Sequence, residues 1–479
     1  MPRTRKLRAG GWHPDPRSSQ PLYRQVYERF RHAIHNGTLR PGERLPSTRS
    51  LASQLSAARG TIDLAYSLLA SEGYVVSRGA AGTFVAPGLT AALQRSLNRP
   101  HDASTGVLAQ PSAPRATIAP FQMGAPALDV FPRALWCRLS ARRARTLTLE
   151  TMIGEDPAGY APLRDAIVSY LTVSRGIRCQ AEQVIITNGF QGALGLLTRT
   201  FLQPGDAVWF EEPGYSFARN ALETAGARVI PIPVDSEGLN VTEAANRAPH
   251  ARFVYVTPAH QYPLGISLTL PRRLALLSWA ARSKAWIIED DYDSEFRYGS
   301  RPLPALKSLD ETGRVLYVGT FSKVLFTGLR LGYLVVPEAE VDRIKKVCRL
   351  LYPAQPLFMQ TVVADFMSKG HFGRHIKRMR TLYEERRTSL ANALTEVFED
   401  RLTVQLQAGG MHLIGRGPTL KDDRSLVARA KAHGLAPAAL SWWYANPGRS
   451  EHGLLLSFTN ITSANALEAA TRLRRAIEL

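Results

Sequence analysis

Residues 317–335 read YVGTFSKVLFTGLRLGYLV, and this stretch decides the fold of most of the chain. An apolar strand runs into Gly319-Thr320-Phe321-Ser322-Lys323, and Arg330 lies seven residues beyond the lysine. A lysine with an adjacent hydroxyl and a following arginine suits an imine formed beside a phosphate. Ser322 and Arg330 can both donate to phosphate oxygens, the arginine with charge assistance. A surface lysine beside a core strand would explain one lysine, but it fits the whole string poorly.

Outward from this stretch, short apolar runs recur: VIITN from Val184, AVWFEE from Ala207, RFVYVTP from Arg252, AWIIEDDY from Ala285 and RVLYVGT from Arg314. Longer amphipathic stretches separate them. That alternation predicts an α/β architecture with a mostly parallel sheet over residues 120–479. Ligands in such sheets gather at the carboxyl ends of the strands, where candidate residues stand. Asp290 closes AWIIED, and a carboxylate there can keep a pyridine nitrogen protonated by Coulomb attraction. Tyr292 can hydrogen-bond a phenolic oxygen. Glu289, Asp291, Asp293 and Glu295 are read as solvent-facing or structural. Asn188-Gly189-Phe190-Gln191 sits between a strand and a helix, so Gly189 lets the backbone approach an anion at a helix N-terminus. Tyr215, in FEEPGYSF, is the candidate stacking ring, and His260 and Gln261 in TPAHQYPLG, a string similar in position to the Asn-Pro-Thr-Gly of aminotransferases, are expected near the cofactor ring. Lysine, carboxylate, anion cup, ring and hydroxyl are together the parts that pyridoxal phosphate (PLP) needs.

These strings, with DPAGYAPLRDAI from Asp156 and RHIKRMRTLYEERR from Arg374, cover most of residues 120–479 and resemble fold type I aminotransferases. The choice of Asp290 among its acidic neighbours rests on that resemblance. Three departures stand out. Gly154 occupies the position two before Asp156-Pro157, where the family often has a phosphate-contacting Tyr. The strand Gly453-Leu454-Leu455-Leu456-Ser457-Phe458 lacks the arginine that binds a substrate carboxylate in aminotransferases, and leucine cannot replace its bidentate grip. Phe217 stands where some relatives carry another such arginine.

The first 90 residues read differently. Leu22, Val26, Phe30 and Ile34 mark an amphipathic helix ending at Gly37, and Ser47 caps a short helix carrying Leu51, Ala52 and Leu55. Ile62, Ala65, Leu68 and Leu69 share one face of a third helix that ends at Gly73. YVVS and GTFVA read as two strands around Arg78-Gly79-Ala80-Ala81-Gly82. The pattern is a winged helix-turn-helix. Arg59, Gly60 and Thr61 at the head of the third helix would face base edges, Arg49 would bind phosphate or guanine, and Arg78, with Gly82 on the wing, would reach the minor groove or backbone. PLYRQVYERFRHAI, LRPGERLPSTRSLA, TIDLAYSLLASEGYV and GTFVA resemble the GntR family throughout. Ala58-Arg59-Gly60-Thr61 departs from the usual Ser-Arg-x-Thr, and Gly60 leaves less side chain to read bases. A GntR-type head joined to an aminotransferase-like body is similar to the MocR subfamily of bacterial regulators. That resemblance implies a homodimer with the cofactor pocket near the subunit interface and one chain's head crossing to the other subunit.

Composition sets the frame. The 479 residues are 45% hydrophobic and 21% charged, an ordinary globular mix sufficient for two or three domains. No apolar run reaches the roughly 18 residues of a membrane span, and the basic N-terminus has no apolar h-region, so a cytoplasmic, nucleoid-associated protein is expected. Cys137, Cys179 and Cys348 have no metal-site spacing, and buried apolar packing is the default role for each. The net charge of +20 points to nucleic acid, although only +8 of it falls in residues 1–90, with 13 Lys/Arg against 5 Asp/Glu. The expected layout is a basic disordered arm (1–19), a winged helix-turn-helix (20–87), an Ala/Ser/Pro-rich linker (88–119) and the PLP-binding domain (120–479). Two functions fit. One is a regulator that binds a double-stranded DNA operator and senses a small-molecule effector, PLP or an amine. The other is a working aminotransferase with an accessory DNA-binding head.

Overall fold

A computed structural model describes residues 12–15, 18, 20–87, 118–298, 304–352, 355–418, 420–446, 448 and 450–478. Most of the expected arm and linker lie outside the described residues. The chain divides into two compact units, within residues 1–113 and 114–479.

In the first unit, helix α1 (Leu22–His35) buries Val26, Tyr27, Phe30 and Ile34. Helix α2 (Thr48–Gln54) begins where the Ser47 hydroxyl accepts the Ser50 N–H at 3.1 Å, satisfying one of the donors a helix start leaves free. Helix α3 (Arg59–Ser71) turns Ile62, Ala65, Tyr66 and Leu69 inward. Strands β1 (Val75–Ser77) and β2 (Thr83–Val85) pair antiparallel, Val75 opposite Val85, and form the wing. One apolar cluster unites helices and wing. Truncating a fully buried member such as Leu69 to alanine would cost about 2–5 kcal/mol.

The second unit is built on an eight-stranded sheet of order β3-β10-β9-β8-β7-β4-β5-β6. The strands are β3 (Val184–Thr187), β4 (Ala207–Glu212), β5 (Arg228–Asp235), β6 (Gly238–Leu239), β7 (Phe253–Val256), β8 (Trp286–Asp291), β9 (Val315–Thr320) and β10 (Gly332–Val335). The run from β9 through β8, β7 and β4 to β5 is parallel, whereas β10 is antiparallel to both its neighbours and β6 is antiparallel to β5. Helices cover the sheet, so β3, β7 and β8 are buried at every residue, which is why they read as unbroken apolar runs. Helix α4 (Gly189–Phe201) leaves β3 after a single residue. A smaller antiparallel sheet, β11 (Thr403–Gln405), β12 (His412–Arg416), β13 (Ala438–Ala439) and β14 (Leu454–Ser457), has the order β11-β12-β14-β13.

The cysteine expectation is corrected in part: Cys348 is buried, with its Sγ 2.9 Å from the Pro157 carbonyl, but Cys137 is exposed and Cys179 half-buried. No group of metal-ligating side chains and no helix long and apolar enough to cross a membrane occurs among the described residues.

Candidate cofactor pocket and DNA-reading face

The strands β3, β4, β7, β8 and β9 release their loops at one edge of the large sheet, and a cavity of about 270 Å³ opens there. Lys323, Asp290, Tyr292, Tyr215, Phe190, Gln191, Ser322 and Arg330 all line it. Residues from separate loops therefore converge, while Gly189 and Gln261 do not line the cavity.

After β9 the chain turns sharply. The Ser322 N–H is held by the Thr320 hydroxyl at 3.2 Å and the Phe321 N–H by the Leu331 carbonyl at 3.1 Å. This fixes Lys323, whose Nζ donates to the Gly124 carbonyl at 3.2 Å. Gly124 has φ +78°, and a Cβ there would stand 2.8 Å from Nζ, so this glycine keeps room for the amine. Burial lowers the Lys323 pKa, with Asp293 and Asp290 opposing it.

Along β8 the period of two separates the carboxylates. Glu289 accepts the N–H groups of Leu306 and Lys307, both at 2.7 Å. Asp291 meets Arg175 at 2.7 Å and the Tyr317 hydroxyl at 2.6 Å. Asp290 points to the opposite face, where its Oδ2 accepts the Tyr255 hydroxyl at 2.5 Å. Glu289 and Asp291 are thus structural rather than solvent-facing, and Asp293, equally buried, lines the cavity. Burial pushes the Asp290 pKa up to about 7 against the Tyr255 hydrogen bond, so this is a carboxyl short of a cation. Tyr292 is held by His260 Nδ1, 2.8 Å from its hydroxyl.

Gly189 opens α4 with φ +66°, and Arg330, itself at φ +50°, donates to Gln191 Oε1 at 2.7 Å. Arg330, Gln191, Ser322 and the first N–H groups of α4 form a donor set suited to an anion. The Tyr215 ring meets Phe190 edge-on at 5.8 Å and lies nearly parallel to Trp443 at 6.1 Å.

One expected contact is not formed. Gln261 is 1% exposed and does not line the cavity; its amide donates to the carbonyls of Pro213 and Tyr262 at 2.7 and 2.8 Å and its oxygen accepts the Leu264 N–H. Its polar atoms are spent bracing the loop after β7. His260 does not line the cavity and reaches its wall through the hydrogen bond to Tyr292. Conversely, sequence reading missed Tyr255, Thr257, Met123, Met411, His412 and Trp443. Only Tyr255 carried a signal, its alternation with Val254 and Val256 along β7, and that becomes informative once the register Tyr255 opposite Ile288 is known.

On the first unit Arg49, Arg59 and Gly60 are exposed and Thr61 half-buried, so the head of α3 is open to a ligand. Arg59 lies 3.7 Å from Asp63. Arg78 sits over the Phe84 ring, 5.2 Å from its centroid, which holds it on the wing. Gly82, at φ +104°, packs against the Arg44 guanidinium, and a Cβ would meet Nε at 2.8 Å. Its positive φ favours glycine at this point of the wing.

The comparisons match this division. Residues 22–85 match the bacterial regulatory proteins of the gntR family, and residues 142–441 match aminotransferase class I and II. A probable rhizopine catabolism regulatory protein, MocR of Rhizobium meliloti, is 38% identical over 95% of this chain and 94% of its own length. The chain belongs to the MocR-type transcription regulators. The HTH-type pyridoxine biosynthesis regulator PdxR of Corynebacterium glutamicum is 31% identical to this MocR-type chain, over 93% of each. Its second unit is also similar to the kynurenine aminotransferase of Pyrococcus horikoshii, with a TM-score of 0.68, 28% identity and coverage of 75% of this chain and 90% of that one. LysN, the α-aminoadipate aminotransferase of Thermus thermophilus, has a TM-score of 0.68 and 29% identity, covering 75% and 91%. MocR-type membership carries DNA binding through the GntR head and implies PLP as the cofactor of the second unit. The donor set fits that group: an anion cradle, a buried carboxyl short of a cation, and an amine of lowered pKa share one cavity.

Proposed function

We propose that this chain is a homodimeric regulator in which Lys323 anchors PLP, and that PLP, or an amine captured on it, biases how the heads bind an operator. The cofactor supplies an aldehyde that couples reversibly to amines and an electron-withdrawing ring. The chain's residues divide the remaining work. Ser322, Gln191, Arg330 and the start of α4 would hold the phosphate. Asp290, oriented by Tyr255, would hold a proton on the pyridine nitrogen, and Tyr292, oriented by His260, would donate to O3′. Tyr215 would lie against the ring. Lys323 keeps more of the neutral, nucleophilic amine near pH 7 than an exposed lysine does. In the head, Arg59 and Thr61 would face base edges, while Arg49 and Arg78 would take phosphate or groove contacts.

The observation that carries this reading is the joining of a lowered-pKa lysine, a buried carboxyl and an arginine-based anion cradle in one cavity of a chain that also bears a DNA-reading head. Productive transamination uses the same parts, but Leu455 is fully buried where a carboxylate-binding arginine would stand, which weighs against efficient turnover of amino acids. Ligand control requires only that the effector bind two arrangements of the dimer unequally. A steady-state assay over amino donors and keto acids separates the two functions: the regulator reading expects no turnover above a single half-reaction, and sustained multiple turnover would overturn it.

A further inference from the structure

The lining of the cofactor cavity falls into two chemically distinct sets. Phe190, Gln191, Thr320, Ser322, Thr327 and Arg330 surround the anion cradle. Met123, Tyr215, Tyr262, Met411 and Trp443 make an apolar wall. Met123, Tyr215, Tyr262 and Trp443 pack into one cluster with Leu455, Ile414 and Leu440, so the wall is backed by hydrocarbon. Its rings brace one another: Tyr262 meets Trp443 edge-on at 4.8 Å and Tyr215 edge-on at 5.5 Å.

Among the described lining residues, the charge not assigned to the cofactor is negative. Among the described residues lining the cavity, the cations are Lys323 and Arg330, and both are committed to the cofactor. His412 is held neutral, its pKa driven to about 4 by burial, with Nε2 2.9 Å from the Pro263 carbonyl. Arg219, on the helix after Tyr215, faces Glu212 at 3.9 Å and does not line the cavity. Asp293 does line it, is 1% exposed, and has an Oδ2 whose neighbour is His260 Nδ1 at 3.2 Å. A carboxylate brought against this wall would lose its water, find no uncommitted cation among the described lining residues and face Asp293. An aromatic or aliphatic body would instead gain ring and thioether contacts.

From this lining we infer that the effector is a primary amine bearing an aromatic or apolar body and no carboxylate. The inference rests on Lys323 being the cofactor anchor and adds the chemical class of what the anchored cofactor captures. Matched ligands test it: 2-phenylethylamine against L-phenylalanine, titrated calorimetrically into full-length, PLP-loaded protein whose visible absorption band is recorded first. The amine is expected to bind at least about tenfold more tightly than the amino acid, the scale set by desolvating an unpaired carboxylate. Phe217→Arg changes an exposed lining residue that the core does not need. It is expected to tighten L-phenylalanine about tenfold by supplying a bidentate carboxylate partner, and not to tighten 2-phenylethylamine. Equal or tighter binding of L-phenylalanine by the native protein, or no binding of either ligand while the band is present, overturns the inference and leaves the cofactor reading intact. Absence of the band sinks the cofactor reading, and this inference with it.

Discussion

Arg59 in the head has a side chain 68% exposed and its partner Asp63 at 3.7 Å, whereas Asp290 in the second unit is 5% exposed and bonded to Tyr255 at 2.5 Å. The difference reflects what each waits for. A polyanion supplies its own strong field, so the head needs only exposed cations on a rigid helix and wing. A cofactor of modest size must find its partners already placed, so the second unit holds them in a buried network before the ligand arrives. Substitution in the head should therefore alter affinity and spare the fold, while substitution in the pocket should alter affinity and stability together.

The largest expected effect is that of Lys323→Ala, which should abolish the visible absorption band of PLP-loaded protein; a band that survives would remove the pocket's centre from the comparison. Asp290→Asn comes next and separates the two roles of a buried carboxyl. In the folded chain Asp290 keeps its proton up to about pH 7, but in the unfolded chain it loses it near pH 4. The folded state is therefore disfavoured as pH rises from about 4 to about 8. Without cofactor, Asp290→Asn should gain on the native chain by as much as about 4 kcal/mol between those pH values, read by urea unfolding, while its PLP affinity collapses. A difference independent of pH would refute the assigned burial. Arg330→Ala should weaken PLP binding about 10–100-fold through loss of a charge-assisted phosphate contact, measured by equilibrium titration. Smallest is Arg59→Ala in the head: about a tenfold loss of affinity for selected DNA with no change in unfolding midpoint. A lowered midpoint would mean that the exposed head residues carry structural weight after all.

Much of this was legible in the chain. Lys323, Tyr292 and Arg330 stand in local strings whose residue types suit one task, whereas Asp290 was singled out from its acidic neighbours only by the family resemblance. The winged helix was readable from its helical periodicity and the Ser47 cap. What was hidden depends on distance in sequence. Gly124, Tyr255 and His412 come from segments more than a hundred residues apart, and only the folded second unit brings Gly124 and His412 to the cavity wall and Tyr255 to Asp290 behind it. Side-chain direction was equally hidden: Gln261 stands in the right loop but spends its amide on Pro213 and Tyr262. Glu289, Asp290 and Asp291 are adjacent letters, yet the pleat of β8 sends the middle one alone toward the pocket.

In the proposed function, occupancy at Lys323 is what the DNA-reading head reports. The most direct measurement is the affinity of full-length native protein and of Lys323→Ala for a DNA fragment selected from a random pool, with and without PLP, at fixed salt. PLP is expected to shift the affinity of the native protein and to leave that of Lys323→Ala unchanged. Identical binding by both proteins in both conditions would contradict it.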